Sequence, residues 1–307
     1  MLNIIGKRKY TYVLSAVLVG LSVFAIAMWG IKPGIDFVGG TLMEFSVSAD
    51  KEITRDAICE KIDADCDDSF VVSGSEGDHG KSIIIRYKQS DEEFNQKVIV
   101  AVTEIDEGSI QLKADFIGAT VSKQLKANAI KAIIFATIAI LLYIAWAFRK
   151  VSVPVSSWYY GIGAVTALSH DIIITLGIFA TLGYFFDIEV GVPFVAALLT
   201  ILGYSVNDTI VVYDRIRENV LRTRSITDFE GLVNKSLNES LARSFNTSFT
   251  VVLVLLPIIL FGGDSLFNFS LALLIGVLIG TYSSMFIATA LVVSIYNVQK
   301  NAQGNDE

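Results

Sequence analysis

Six long apolar stretches dominate the pattern of hydrophobic and polar positions along this chain of 307 residues. Each is long enough to cross about 30 Å of hydrocarbon, which takes about 20 helical residues. Apolar runs of this length are typical of membrane spans, so the pattern predicts an α-helical polytopic membrane protein. The six expected transmembrane helices lie at about 12–30, 128–148, 156–183, 190–213, 245–262 and 267–296.

A polar segment at about 31–126 separates the first two apolar stretches. Its spacing changes between strand-like alternation and helical periodicity, in the order β-α-β-β-α-β. That order predicts a small α+β domain with a ferredoxin-like fold. Ser90 followed by Glu93 also fits a capping box at the start of the second helix. The expected strands are 40–48, 69–73, 82–88 and 110–116, and the expected helices are 51–62 and 91–105.

Lysine and arginine residues beside the spans predict the orientation of the chain. They fall on one side of the membrane if six helices are threaded alternately, and the positive-inside rule makes that side the cytoplasm. Both termini are then cytoplasmic, and the polar segment lies outside the cytoplasm. The residues concerned are Lys7, Arg8, Lys9, Arg149, Lys150, Arg215, Arg217, Arg222, Arg224, Lys235, Arg243 and Lys300.

These expectations give one domain organisation. The first span is expected to stay uncleaved, because its run of about 19 residues exceeds the roughly 7–15 residues of a usual signal-peptide core. The organisation is a cytoplasmic N-terminus at 1–11, helix one at 12–30, the periplasmic domain at 31–126, helices two to six within 127–296, a basic cytoplasmic loop at about 214–244, and a cytoplasmic tail at 297–307.

Charge separates the polar segment from the rest of the chain. The segment 31–126 has 19 acidic and 11 basic residues, and the whole chain has a formal charge of −7. Nucleic-acid binding needs basic patches, so no nucleic-acid partner is expected. Metal-ligand spacings, phosphate-binding loops and dinucleotide-binding glycine motifs are missing from the sequence, which predicts no metal site and no cofactor. His79 lies in a polar turn and is expected to be a solvated loop residue.

The two cysteines of the chain, Cys59 and Cys66, both lie in the segment expected to be exported. Disulfides persist outside the cytoplasm, so the pair can form a disulfide bond. Two unpaired thiols are the open alternative.

The fourth span places acidic and polar residues within an apolar run. An ionised side chain at the bilayer centre costs about 2.5–3.5 kcal/mol on the insertion scale, so such a residue is expected to face protein or water. Asn207 and Asp208 share a helical stripe with Thr200, Gly203 and Tyr204. A structural role would be met by Asn207 alone, and Asp208 is therefore the strongest candidate for a functional residue.

Three further residues are candidates with open alternatives. Asp171 lies near the middle of the third span, beside His170. His170 fits a hydrogen-bonded packing residue and a proton relay equally well. Arg243 precedes the fifth span and fits either an interfacial anchor or a functional partner of the buried acids.

Small residues recur every four positions in the sixth span, at Gly276, Gly280, Ser284 and Ala288. This spacing allows close approach of two helix backbones. The sequence therefore predicts a helix-packing seam here.

Two intramembrane acids with an arginine nearby favour protonation coupled to helix movement, because a carboxyl group is neutral when desolvated and ionises when water or arginine reaches it. An intramembrane aspartyl protease would also need two carboxylates, but the Gly-x-Gly-Asp motif expected of that class is missing at Ser205–Asp208. A passive scaffold is a third possibility. We expect no enzymatic activity and no catalytic residues.

Three motifs resemble the SecF family of protein-export membrane subunits. They are GIDFVGGTLMEF at 34–45, ALSHDIIITLG at 167–177 and LTILGYSVNDTIVVYDRIREN at 199–219. The resemblance extends over nearly the whole chain. It implies a six-helix half of the SecD–SecF complex, related to the resistance-nodulation-division transporters, in which the proton gradient promotes preprotein translocation.

The resemblance also implies partners and residue roles. SecD, the SecYEG channel, SecA, YajC and translocating preproteins are the expected partners. The proton-pathway acid of the family corresponds to Asp208, its arginine to Arg243 within ARSFNTS, and its His-Asp pair to His170 and Asp171. Proton-coupled small-molecule efflux is the alternative function, but the exported segment is smaller than the paired porter domains of such pumps.

Overall fold

The computed structural model describes residues 2–48, 53–62, 66, 69–77, 80–88, 91–149, 155–223 and 228–303. The chain divides into two compact units, Met1–Lys32 with Lys131–Glu307 and Pro33–Ile130. In chain order the elements are α1 (Arg8–Trp29), α2 (Ile35–Val38), β1 (Gly40–Ser46), α3 (Arg55–Ile62), β2 (Val71–Gly77), β3 (Gly80–Tyr87), α4 (Glu92–Ile105), β4 (Ile110–Ile117), α5 (Ala119–Ala147), α6 (Ser157–Phe186), α7 (Val192–Arg222), α8 (Phe229–Phe261), α9 (Asp264–Ser283), a π-helical turn (Ser284–Ala288) and α10 (Thr289–Gln303).

Six helical segments in the described part of the chain are long and apolar enough to cross a membrane. The prediction of a six-helix membrane protein is therefore confirmed. The segments are Ile5–Trp29, Ala119–Ala147, Ser157–Phe186, Val192–Arg222, Phe229–Phe261 and Leu266–Asn301.

The segment 214–244, expected to be a loop, is mostly helical. Helix α7 continues to Arg222 and α8 already begins at Phe229. Charged residues one turn apart stabilise the end of α7 after the apolar run stops, because residues three or four apart are neighbours on a helix surface. Arg215 lies 2.5 Å from Glu218, and Glu218 lies 2.5 Å from Arg222. The basic residues of this segment therefore do not mark a loop, because most of the segment belongs to the ends of α7 and α8.

The unit Pro33–Ile130 contains one four-stranded antiparallel sheet in the order β2-β3-β1-β4. With α3 after β1 and α4 after β3, this is the predicted ferredoxin-like arrangement, which is thus confirmed. Helix α4 is capped by Asp91, whose side chain accepts a hydrogen bond from the Phe94 N–H at 2.7 Å. Ser90 and His79 lie outside the described residues.

The helices of this unit cover an apolar face of the sheet. Phe45 and Ile85 on the strands are buried with Ile58 on α3 and Val98 on α4. Tyr87 joins this core, and its hydroxyl donates to Asn95 Oδ1 at 2.8 Å. Burial raises the pKa of Tyr87, so this side chain stays neutral and remains a hydrogen-bond donor.

Cys59 and Cys66 are joined by a disulfide bond. Cys59 lies on α3, and Cys66 follows the end of that helix. Of the two alternatives left by the sequence, the structure has the disulfide.

Aromatic side chains pack together in the core of the membrane unit, among aliphatic residues. Tyr160 on α6 and Tyr213 on α7 are each 1% exposed or less, and their ring centroids lie 5.1 Å apart. Phe148 stacks on Tyr160 at 5.6 Å. Exposed apolar residues such as Val17 and Phe24 on α1 cover the outside, as expected of helices in contact with lipid.

Small residues bring α9 against α7. A side chain added at Gly276 would collide with Ile201, and one at Gly280 would come within 3.0 Å of the Ser205 Cβ atom. Both glycines therefore allow the close packing of these two helices. Ser284, the next residue of the same series, contributes a hydroxyl group that contacts Asp208.

Candidate functional site

Asp171 is fully buried in the centre of α6. Its Oδ2 atom accepts hydrogen bonds from the Ser205 hydroxyl at 2.7 Å and from the Ser283 hydroxyl at 2.8 Å. Its Oδ1 atom lies 3.0 Å from His170 Nδ1. Helices α7 and α9 each supply one serine, so the polar partners of Asp171 come from three helices.

Asp208 occupies a similar buried position on α7, with 6% of its surface exposed. The Ser244 hydroxyl on α8 donates to Oδ1 at 2.5 Å. The Ser284 hydroxyl, at the start of the π-helical turn, donates to Oδ2. Asp208 is therefore held by two neutral donors from two neighbouring helices.

Adjacent serines connect the two carboxylates. Ser283 contacts Asp171, and the next residue, Ser284, contacts Asp208. Ser205, which also contacts Asp171, lies one helical turn before Asp208 on α7. No hydrogen bond joins the two acids directly among the contacts of the described residues. The two acids are thus connected through serines that lie next to one another or on the same helix.

The helix departs from α-helical geometry directly after Ser283. Residues Ser284–Ala288 form a π-helical turn between α9 and α10. The Thr289 hydroxyl donates to the Ser284 carbonyl at 2.9 Å, across this turn. Single π-helical turns often occur at functional sites, where they change the direction of side chains without ending the helix.

Ser283 and Ser284 each have a second hydrogen-bond acceptor. The Ser283 hydroxyl lies 3.2 Å from the Gly280 carbonyl, and the Ser284 hydroxyl lies 3.1 Å from the Thr281 carbonyl. A hydroxyl group has one hydrogen, so it donates either to the carboxylate or to the backbone. An ionised aspartate attracts that hydrogen, whereas a protonated aspartate can itself donate to the serine oxygen.

A further row of polar groups extends from the Asp208 pocket along α8. The Tyr204 hydroxyl donates to Ser248 Oγ at 2.9 Å, and Ser248 lies 2.5 Å from the Thr281 hydroxyl. Ser248 is one turn after Ser244 on the same face. The acids therefore belong to a hydrogen-bonded network across α7, α8 and α9.

The polar stripe predicted on α7 is divided between two faces. Asp208 points into the bundle, whereas Thr200, Gly203 and Asn207 are exposed. Among the described residues, none forms a hydrogen bond with the Asn207 side chain. Successive residues of a helix are about 100° apart, so Asn207 and Asp208 cannot both face the same partners.

Arg243 is exposed on α8, directly before the buried Ser244. Within the described part of the chain it forms no ion pair with Asp208. The sequence therefore identified a neighbour of the site, while the direct contact is made by the next residue.

The serines of the site were not among the predicted functional residues. Ser15, Ser205, Ser244 and Ser283 are all buried, and each contacts an acid or His170. The available signal was the spacing of Ser240, Ser244 and Ser248, which places three hydroxyls on one face of α8. Serine is common in membrane helices, so this signal is weak without the structure.

The described residues contain no group of three or more His, Cys, Asp or Glu side chains suited to hold a metal ion. The two buried carboxyl groups can each change charge by gaining or losing a proton. This change would alter the hydrogen bonds of serines on α7, α8 and α9.

Comparisons with known proteins were made from both sequence and structure. Residues 97–298 match the family model described as "Protein export membrane protein SecD/SecF, C-terminal", and residues 24–51 match the "SecD/SecF GG Motif". The chain is 39% identical to a protein named "Protein translocase subunit SecF" from Thermobaculum terrenum, with 97% of this chain and 95% of that protein covered. A protein of the same name from Haemophilus influenzae is 35% identical, with 94% and 84% covered.

Two solved structures have the same fold. The crystal structure of SecDF from Thermus thermophilus, described as a translocon-associated membrane protein, has a TM-score of 0.81 and 32% identity to this chain. The matched region covers 96% of this chain and 39% of the SecDF chain. SecDF in a "Super-membrane-facing form" has a TM-score of 0.69 and 28% identity, with 100% and 40% covered. The chain thus spans about two fifths of these SecDF chains.

Proposed function

Because the chain belongs to the SecD/SecF family of protein-export membrane proteins, we propose that it is an auxiliary subunit of the Sec protein-export machinery. Together with SecD, it uses the proton gradient to promote preprotein translocation across the inner membrane. Its relatives are named translocase subunits, and we propose no enzymatic step for this chain.

The burial of Asp208 among serine hydroxyls is the observation that carries the proposal. An ionised carboxylate in this position needs strong compensation, which two neutral hydroxyl donors supply only in part. A protonated carboxyl group fits this pocket, because it is neutral and can both donate and accept hydrogen bonds. The pocket therefore favours a residue that gains and loses a proton during its working cycle.

The membrane potential can drive such a cycle. Moving one elementary charge through the membrane field is worth about 2.3 kcal/mol per 100 mV. Protonation of Asp208 frees the hydrogen of Ser284, which then donates to the Thr281 carbonyl instead. Each cycle thus changes the contacts between α7 and the segment that starts the π-helical turn.

A SecD chain is the partner that the surface of the membrane unit supports best. Thr200, Gly203 and Asn207 form an exposed face on α7, and Arg243 is exposed on α8. Polar and charged groups at membrane depth are expected to face protein or water rather than lipid. We propose that SecD covers these positions and that Arg243 then acts on Asp208. Contacts with SecYEG, SecA, YajC and preproteins follow from the family resemblance alone.

Replacing Asp208 with asparagine tests the proposal. The amide resembles the carboxyl group in size but cannot ionise, so we expect Asp208→Asn to abolish the stimulation of export by a proton gradient. Export would be measured as gradient-dependent preprotein translocation into membrane vesicles that contain the assembled complex.

Asp214→Asn is the matched control. It makes the same chemical change on the same helix, but Asp214 is exposed and pairs with Arg217 at 3.5 Å. We expect this variant to keep native gradient dependence. Native gradient dependence in Asp208→Asn, with SecD still copurifying, would remove Asp208 from the mechanism and reject the proposed coupling role.

A further inference from the structure

A second hydrogen-bonded chain leads from Asp171 to α1. His170 Nδ1 contacts Asp171, and its other ring nitrogen, Nε2, lies 3.2 Å from the Ser15 hydroxyl on α1. Ser15 lies 3.1 Å from the Tyr282 hydroxyl, which donates to the Thr11 carbonyl at 3.0 Å. The chain joins α6, α1 and α9, and none of its bonds involves Asp208.

The direction of these hydrogen bonds depends on one proton. When Asp171 is ionised and His170 is neutral, Nδ1 donates to the carboxylate and Nε2 accepts from Ser15. When one proton is added to the Asp171–His170 pair, Nε2 has a hydrogen and donates to Ser15. The Ser15 hydrogen is then released from His170 and can be donated to Tyr282. Proton uptake thus reverses the hydrogen bond between α6 and α1.

Few ionisable groups lie near this pair in the described structure. Asp208 on α7 is connected to the pair through the serines, and Tyr282 on α9 is part of the chain itself. Tyr12, on α1, is hydrogen-bonded to Ser294 instead. Arg243 lies on α8, where it is exposed.

Helix α1 is closely packed on α6 beyond Ser15. A side chain added at Gly177 would collide with both the backbone and the side chain of Ser22. Farther along, Trp29 stacks on Tyr184 at 5.3 Å, and the Lys32 carbonyl accepts from the Val190 N–H at 2.9 Å. Along the chain, α1 ends only a few residues before the unit Pro33–Ile130 begins.

We propose that His170 and Ser15 are positioning residues that transmit the charge state of the buried acids to α1, and through α1 to the exported domain. The serines Ser205, Ser283 and Ser284 connect Asp208 to Asp171, and His170 connects Asp171 to α1. This inference rests on the proposed proton-coupling function. It identifies α1 as the helix to which a change of charge at the buried acids is transmitted.

The test separates proton entry from export. In vesicles containing the full complex, proton influx would be followed with an internal pH-sensitive dye while gradient-driven export of a preprotein is measured. Ser15→Ala removes the hydroxyl but leaves both acids and their serines in place. We expect native proton influx and about a three- to ten-fold loss of export per proton, the factor that corresponds to one lost hydrogen bond.

Two variants control for packing. Ser22→Ala makes the same change on the same helix, and Ser22 is 6% exposed, close to the 7% of Ser15. The described residues offer the Ser22 hydroxyl no hydrogen-bond partner. Ser15→Thr restores a hydroxyl at the critical position. We expect both variants to keep native export per proton, with SecD copurification showing that all complexes assemble.

The outcomes are distinguishable. Native export per proton in Ser15→Ala overturns the inference, and so does a parallel loss of influx and export, which would place Ser15 in the proton path or in folding. An equal defect in Ser22→Ala also overturns it. Failure of the proposed function itself would be seen elsewhere, as native influx and gradient dependence in Asp208→Asn.

Discussion

At the residue scale, the chemistry depends on which neighbours a buried acid has. Asp171 and Asp208 differ from solvent-exposed acids because every hydrogen bond they accept comes from a side chain in the bundle. Serine suits this role because its small hydroxyl fits between close helices and can donate or accept. Where a glycine faces a serine, as Gly280 faces Ser205, the two helix backbones are close enough for such a hydrogen bond to form.

Gly276 tests this requirement for close packing. We expect Gly276→Val to destabilise the purified chain by about 1–3 kcal/mol, because the new side chain overlaps Ile201 in a filled interior. The effect would be measured as a lower melting temperature in detergent. Gly20→Val is the control, since no atom lies within 4 Å of the added Cβ atom there. Equal melting temperatures for the two variants would contradict the packing argument.

At the element scale, α1 and α8 are connected through the N-terminal segment. Asn234 Oδ1 accepts hydrogen bonds from the Ile4 and Ile5 N–H groups at 2.9 and 3.1 Å, and Asn234 Nδ2 donates to the Leu2 carbonyl at 3.0 Å. Arg8 pairs with Glu230 at 2.5 Å. The start of α1 is therefore held by the same helix that provides Ser244 to Asp208.

Replacing Asn234 with alanine should loosen this connection. The Ile4 and Ile5 N–H groups lose their partner, whereas the Leu2 carbonyl keeps the Asn238 amide as a donor at 2.9 Å. An unpaired buried polar group costs about 1–3 kcal/mol, so we expect faster exchange of the Ile4 and Ile5 amide hydrogens. Hydrogen–deuterium exchange with mass spectrometry would measure it. Asn246→Ala, an exposed change on the same helix, should leave these amides protected. Unchanged protection in Asn234→Ala would show that the N-terminal segment is held by other contacts.

At the scale of the whole molecule, the chain combines a six-helix membrane unit with one ferredoxin-like unit inserted after the first helix. The two units have separate hydrophobic cores, one inside the helix bundle and one between the sheet and its helices, and both contain branched aliphatic and aromatic residues. The surplus of acidic residues belongs to the inserted unit and does not enter the membrane unit.

Membrane orientation is a testable property of the whole molecule. We expect a cysteine at Gln96 in the ferredoxin-like unit to react with an impermeant maleimide added to intact spheroplasts, and a cysteine at Asn301 to react only after the cells are broken. Cys59 and Cys66 give little background because they are joined in a disulfide. Labelling of the Asn301 site in intact spheroplasts would contradict a cytoplasmic C-terminus.

The sequence by itself determined the number of spans and the inserted α+β unit, and it predicted a functional role for two intramembrane acids. These features depend on local quantities: the length of apolar runs, the period of side chains and the cost of a charge in hydrocarbon. Helix ends were less predictable. The continuation of α7 to Arg222 depends on charged pairs formed only once the helix exists.

Only the tertiary structure decided which polar residues act together. Asn207 and Asp208 are neighbours in sequence but lie on different faces, whereas Ser284 lies 76 residues from Asp208 and contacts it. The pairing of hydroxyl and carboxyl groups depends on how the helices rotate and pack, because a side chain reaches only partners within about 3 Å. That rotation is a property of the whole bundle, set by glycine, serine and aromatic contacts between distant segments of the chain.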